Sequence, residues 1–177
     1  MRSTVPVPLA VTVLAAALAL TACDSKSSDD AKHSEKSAPP AAGCPIALKV
    51  GPANAATTAG DTGNVPVTLT NRSGGKCTFQ GFPGVELNAG SSSWSVADDK
   101  AATPEKVTLQ KGEAATFTLT YVRGKSGGSQ SAAVKALKIT VPGAGPAQSY
   151  PWSYGEVSLK SAGTPDASVS PIQVAGD

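Results

Sequence analysis

Three cysteines, Cys23, Cys44 and Cys77, and one histidine, His33, are the residues whose types could attack a carbonyl or hold a soft metal ion. Cys77 sits in the glycine-rich run LTNRSGGKCTFQGFPGV, residues 69–85. There it reads as a nucleophile, a metal ligand or one end of a disulfide. A nucleophile needs a general base, most often histidine, oriented by a third group. His33 lies in DSKSSDDAKHSEKSAPPAAG, residues 24–43, where no large apolar residue could hold it in place. It reads as a solvated linker residue, which leaves Cys77 without a base.

The N-terminus separates the cysteines. Arg2 gives a short basic start, and Leu9–Leu20, LAVTVLAAALAL, is a twelve-residue apolar stretch. A transmembrane helix needs roughly 20 such residues, whereas this length fits the core of a secretory signal. Leu20-Thr21-Ala22-Cys23 follows, and a small residue before a cysteine at that point resembles the bacterial lipobox. The resemblance implies a signal peptide over residues 1–22, cleavage before Cys23, and lipid on the Cys23 thiol. One acyl chain anchors only marginally and two anchor stably; a diacylglyceryl group supplies two.

An odd cysteine in an exported chain calls for an explanation, and lipidation of Cys23 supplies one. Cys44 and Cys77 remain, in an oxidising setting where disulfides persist. They are expected to pair, closing a loop of about 34 residues that stabilises by roughly 3–4 kcal/mol. Met1 leaves with the signal, so no histidine, methionine or free thiol remains in the domain. No zinc, copper or haem site is expected, and no cofactor.

Oxygen chemistry has few candidates. Asp98-Asp99 lacks the spaced acidic pattern and distal glutamate of a calcium loop. Glu86, Asp98, Asp99, Glu105 and Glu113 have no spacing that faces two carboxylates across a sugar. Gly124-Lys125-Ser126 resembles the end of a phosphate loop, but Leu119 stands where that motif has its first glycine. Asn71-Arg72-Ser73 matches a glycosylation sequon and is treated as a chance match. The formal net charge is +2, with charges of both signs interspersed. There is no basic stripe, so no nucleic-acid partner is expected.

Tyr150-Pro151-Trp152-Ser153-Tyr154 gathers three aromatics within five residues. If extended, it would present all three rings on one face, and Pro151 places it at an edge or in a loop. Tyr150, Trp152 and Tyr154 are therefore candidate ligand contacts. The competing reading is that they cover an open end of the core.

The elements around these residues read as strands. Ile46/Leu48/Val50, Val65/Val67/Leu69, Val85/Leu87, Trp94/Val96, Val107/Leu109, Phe117/Leu119/Tyr121, Leu137/Ile139/Val141 and Val157/Leu159 alternate with polar or small neighbours. Period two marks half-buried strands. Pro66 suggests an edge strand or a bulge. Phe82-Pro83-Gly84-Val85 suits a type II turn with Gly84 at positive φ. Residues 107–122 read as a hairpin closed at Lys111-Gly112, and Val169–Val174 could add a last strand. The expected fold is all-β: an immunoglobulin-like antiparallel β-sandwich of seven to nine short strands with one disulfide. It would span residues 44–174 and be followed by a short tail, 175–177. Residues 23–43 would form a disordered tether, about 25 Å r.m.s. in span.

Thr70-Asn71, Ser73-Gly74, Cys77-Thr78-Phe79, Gly81-Phe82-Pro83-Gly84-Val85 and Val107-Thr108-Leu109-Gln110-Lys111-Gly112 together resemble the actinobacterial family called domain of unknown function 4232. The resemblance implies a secreted or cell-surface β-sandwich with its two cysteines paired. It implies no catalytic residues.

The expected role is therefore non-catalytic: a binding or structural module outside the cytoplasm, held at the outer membrane face through Cys23. Its partner would be a cell-surface protein or cell-wall glycan. The alternatives are an inhibitor or modulator of an extracellular enzyme, using loops Ser91–Ser93 and Arg123–Gly128, or glycan binding through the aromatic stripe. A hydrolase is the least favoured class.

Overall fold

The computed structural model describes residues 43–175. The expected signal peptide, Cys23, His33 and the tether up to residue 42 lie outside the described residues. So do residues 176–177 of the expected tail.

The described residues are all-β and contain no helix. Fifteen short strands follow in order: β1 (Ile46–Val50), β2 (Thr62–Asn71), β3 (Cys77–Gln80), β4 (Gly84–Ala89), β5 (Ser92–Ser95), β6 (Ala97–Asp98), β7 (Lys106–Leu109), β8 (Ala114–Val122), β9 (Ser131–Ala132), β10 (Ala136–Thr140), β11 (Gln148–Pro151), β12 (Val157–Ser161), β13 (Thr164–Pro165), β14 (Ala167–Val169) and β15 (Gln173–Val174). The count exceeds seven to nine because the two-residue β6, β9, β13 and β15 and the three-residue β14 are too short to show a period, and because β3 and β11, four residues each, fall outside the alternating runs. The alternating runs fall on β1, β2, β4, β5, β7, β8, β10 and β12.

One six-stranded sheet runs β1-β2-β8-β14-β6, with β15 also on β8. A four-stranded sheet runs β11-β10-β4-β5, and β3 pairs with β7. Pairing is antiparallel except for β14 with β6, which is parallel. Alternation in β2 and β8 turns Val65, Val67, Leu69, Phe117, Leu119 and Tyr121 inward, all buried. Val85, Leu87, Leu137 and Ile139 of the second sheet, and Phe79, Val107 and Leu109 of the small one, join them in one core. This is the sandwich arrangement, in which the inward faces of the sheets share their apolar side chains.

Three local expectations need correction. β2 is not an edge: it lies between β1 and β8. Pro66 is tolerated because its carbonyl faces β1, accepting the Gly51 N–H at 2.8 Å, just where β1 ends. Its missing N–H therefore removes no bond to β8. The positive φ near Pro83 falls on Gly81, at 102°, while Gly84 is extended and opens β4. Finally, β7 and β8 do not form a hairpin: β7 pairs with β3, and β8 with β2.

Asn71 explains that corner. It is the buried polar residue of the core, fully shielded from solvent. Its Nδ2 donates to the carbonyls of Gly75 (2.8 Å), Leu109 (3.0 Å) and Gln110 (3.1 Å), and its Oδ1 accepts the Ser73 N–H at 2.8 Å. Its backbone N–H donates to Glu113 O, and its carbonyl accepts from Gly112, which sits at φ 83°. The side chain thus holds the β7–β8 turn open. It sends β7 to one sheet and β8 to the other, while fixing the loop that leads to Cys77. The same burial hides the amide of the sequon.

Asn71→Ala should strip four hydrogen bonds from buried or half-buried backbone and lower stability by about 2–3 kcal/mol. The urea midpoint should fall with little change in slope. A loss below about 0.5 kcal/mol would mean the corner holds without the side chain.

Candidate functional site

Cys44 and Cys77 form a disulfide, with Cα atoms 5.9 Å apart. Cys77 is buried at the start of β3, beside Asn71 Oδ1 (3.4 Å) and Ser73 Oγ (3.3 Å). Cys44 precedes β1, and its N–H donates to Gly143 O at 2.9 Å. Gly43 packs so tightly against the Ala144 carbonyl that no side chain fits there. The first described residues are thus pinned to the fold by a covalent bond, a backbone bond and close packing. A disulfide sulfur is neither a thiolate nucleophile nor a metal ligand, so the Cys77 question resolves to a staple.

The aromatic run does not present three rings to one side. β11 stops at Pro151, and the chain then bends. Trp152 points into the core at 7% exposure, which corrects its placement on an open stripe. Tyr150 and Tyr154 are half-buried. Tyr150 reaches across to β1: its hydroxyl lies 3.3 Å from Leu48 O and 2.8 Å from Gln148 Oε1. Trp152 makes edge-to-face contacts with Tyr121 (centroids 5.1 Å) and Tyr154 (4.9 Å), a geometry favoured by the ring quadrupoles.

Sequence reading placed Tyr121 only as one more inward strand residue. Its hydroxyl donates to Tyr154 O at 3.0 Å and accepts the Ala56 N–H at 3.3 Å. Gly63 lies against its ring: a Cβ there would come within 2.5 Å. Arg123, two residues on, donates from Nη1 to Ala56 O (2.7 Å) and Tyr154 O (3.3 Å). Tyr121, Arg123, Trp152 and Tyr154 thus close one end of the sandwich. Burial pushes the Tyr121 phenol above its ordinary value; the Ala56 hydrogen bond and the Arg123 charge oppose this, and Tyr154 adds to it. Burial likewise raises Tyr150.

The carboxylates considered from sequence are dispersed. Glu86 lies 3.8 Å from Lys138 across β4 and β10. Asp99 Oδ1 accepts the Ala101 N–H, and Glu113 Oε2 the Gln110 N–H. Asp98 is in β6. Glu105 lines an open groove of about 280 Å³ between β7 and β15, with Val107 and Ile172 among its walls.

Two surfaces stand out. Lys125, Ser126 and Gly127 are exposed in the Arg123–Gly128 loop. Glu156 clamps that loop, accepting the Gly127 N–H at 3.0 Å and approaching Ser126 Oγ at 3.3 Å. Gly128 N–H also closes onto Lys125 O at 2.9 Å. The other expected loop is shorter than predicted: Ser92 and Ser93 already belong to β5, and Gly90 makes the turn. The second surface is the outer face of the six-stranded sheet. The residues alternating with the core positions there include Thr68, Thr70, Thr116, Thr118, Thr120 and Ser168. Lys49, paired with Thr68, and Asp166 lie at its margins.

A family model described as "Domain of unknown function (DUF4232)" matches residues 44–173. No curated protein and no solved structure matches.

Two outcomes follow from the aromatic end. Trp152→Ala should lower stability by about 3–5 kcal/mol, read as a drop in melting temperature; a nearly unchanged melting curve would place the ring outside the core. For Tyr121 the sign is set by a folded pKa above the unfolded one. Its contribution is complete below about pH 10 and is lost as pH rises through the folded value. Tyr121→Phe should flatten the alkaline loss of stability above pH 10, leaving the part owed to Tyr150. An unchanged alkaline slope would assign that loss elsewhere.

Proposed function

We propose that this chain, which belongs to the DUF4232 family, is a lipid-anchored module of the outer membrane face that acts by binding rather than by catalysis. The observation that supports this best is the Cys44–Cys77 bridge. It takes up both cysteines of the domain and leaves Cys23 as the odd one, directly after the apolar stretch Leu9–Leu20. A structural disulfide suits an exported protein. The polar residues 24–42 would then hold the domain off the lipid headgroups, with a cell-surface protein or a cell-wall glycan as its partner.

A second reading, an inhibitor or modulator of an extracellular enzyme, is favoured by the Glu156 clamp on the Arg123–Gly128 loop. A loop held in one conformation before binding loses less entropy on docking. Glycan binding through the aromatic run is left with the half-buried edges of Tyr150 and Tyr154, since Trp152 is taken up by the core. The uncharged threonine face offers a broader surface for a neutral glycan.

Cys23→Ala should abolish incorporation of labelled fatty acid and release the protein from the membrane fraction. A mutant that stays labelled would overturn the anchor. Proximity labelling on living cells separates the partners. Recovered surface proteins favour a protein partner, a secreted enzyme whose turnover drops with added purified domain favours the inhibitor, and wall fragments alone favour glycan.

A further inference from the structure

We propose that the Cys44–Cys77 bridge is a mechanical latch. It carries a pull arriving through the N-terminal segment past β1 and β2 and directly onto β3. The inference rests on the anchored reading only for the source of that pull.

β1 is the weak point of the fold under such a load. It has one ladder neighbour, β2, over five residue pairs from Ile46↔Asn71 to Val50↔Val67. Four of its five residues are only half-buried and Lys49 is exposed. On its outer edge, Leu48 O meets the Tyr150 hydroxyl. A force applied at the Ile46 end would open the ladder one bond at a time, each bond meeting the load alone. β2 would then become an edge, offering unpaired N–H and C=O groups to other chains.

The bridge alters that path. Cys44 comes before β1, so force reaches the disulfide before it reaches the strand. From Cys44 Sγ the load crosses to Cys77, at the head of β3, which pairs residue by residue with β7 from Cys77↔Leu109 to Gln80↔Lys106. β1 and β2 lie inside the closed loop between the two cysteines and drop out of the load path. Asn71 braces the receiving end by bonding to Leu109 O, opposite Cys77. A dithiol reductant would undo this by giving two electrons and two protons to the disulfide. Two thiols form and the reductant closes to its own disulfide, with attack favoured at half-buried Cys44 over buried Cys77. Only the Cys44 N–H···Gly143 O bond and the packing of Gly43 on Ala144 would then stand between the pull and β1.

The test stretches the mature chain in optical tweezers between handles at its N- and C-termini, with and without dithiothreitol. The oxidised chain should lack the β1 step, any peeling of the two-residue β15 from β8 at the C-terminal handle being common to both redox states. Its total extension should be short by the loop, a separation of 33 residues or about 120 Å at the extended length per residue. The reduced chain should show a first, lower-force step that frees β1, then the main opening. A reduced chain that opens in one step at the oxidised force would overturn the latch. Hydrogen exchange without load gives a second reading, also on a Cys44→Ala/Cys77→Ala variant if it folds. Loss of protection confined to residues 46–50 supports the latch. Equal loss across residues 115–121 would show that the bridge holds the whole fold and would overturn it. Failure of fatty-acid labelling at Cys23 would remove the proposed source of force and leave these mechanical readouts standing.

Discussion

The structure turns on the buried amide of Asn71. An unpaired buried amide costs several kcal/mol, so its position must supply partners on all sides. Asn71 finds them in three segments: the loop before Cys77, the end of β7, and the turn before β8. Each bond is modest. Together they decide where the chain changes sheets. Without a polar anchor inside that corner, the sequence from Val107 to Val122 would suit a plain hairpin with the Lys111-Gly112 turn. With it, β7 is drawn to β3, and β8 is free to take its long ladder with β2. The disulfide is seated on the same frame, since Cys77 lies against the Asn71 oxygen.

This explains which parts of the fold were legible in the sequence. Period-two burial shows clearly in β2, β3, β7, β8, β10 and β11, where alternate side chains meet two different environments, and is blurred in β1, β5 and β12. Pairing is not written in that pattern. Nothing in Val107–Leu109 says that its partner is Cys77–Gln80 rather than Ala114–Val122; the choice is made by a polar contact made across 38 residues. Pro66 misled for a related reason. A proline loses one donor, and the loss matters only on the side to which that donor would point. The two-residue strands were invisible because they are set by their neighbours and not by local preference. Asn71 itself could have been suspected: it ends a strict alternation, Val65, Val67, Leu69, at the next inward position.

The candidate site divides in the same way. The Cys44–Cys77 pairing is expected once Cys23 is read as the lipidated residue, which leaves two cysteines, and the described residues show that bond. The aromatic run did not follow from spacing. Alternation predicts a shared face only while the chain stays extended, and it bends after Pro151. Trp152 then enters the core, where its ring meets Tyr121 and Tyr154 edge-on. In the sequence Tyr121 reads as one more core residue of an alternating strand, and Arg123 reads only as the start of the loop to Gly128. The tyrosine hydroxyl and the guanidinium need the carbonyls of Ala56 and Tyr154, which lie far apart in the sequence.

What remains for recognition is the surface, and the surface is uneven. Charges sit at turns, as with Lys125 in the Glu156-clamped loop, and on the four-stranded sheet, where Glu86 faces Lys138 across β4 and β10. The outer face of β2 and β8 carries threonines in register, Thr68 opposite Thr116, with Thr120 Oγ1 bonded to Asn64 Oδ1 at 2.9 Å. β-branched residues favour that face for strand formation alone, so its chemistry is also what the fold would select without a ligand. The loop differs in kind. Nothing in strand stability requires a carboxylate to hold Gly127 and Ser126 at an exposed tip. An ordered, exposed loop on a disulfide-pinned frame is therefore the feature of this surface that packing leaves least explained. That makes it the place where a protein partner would be read, whereas a neutral glycan would be read on the threonine face.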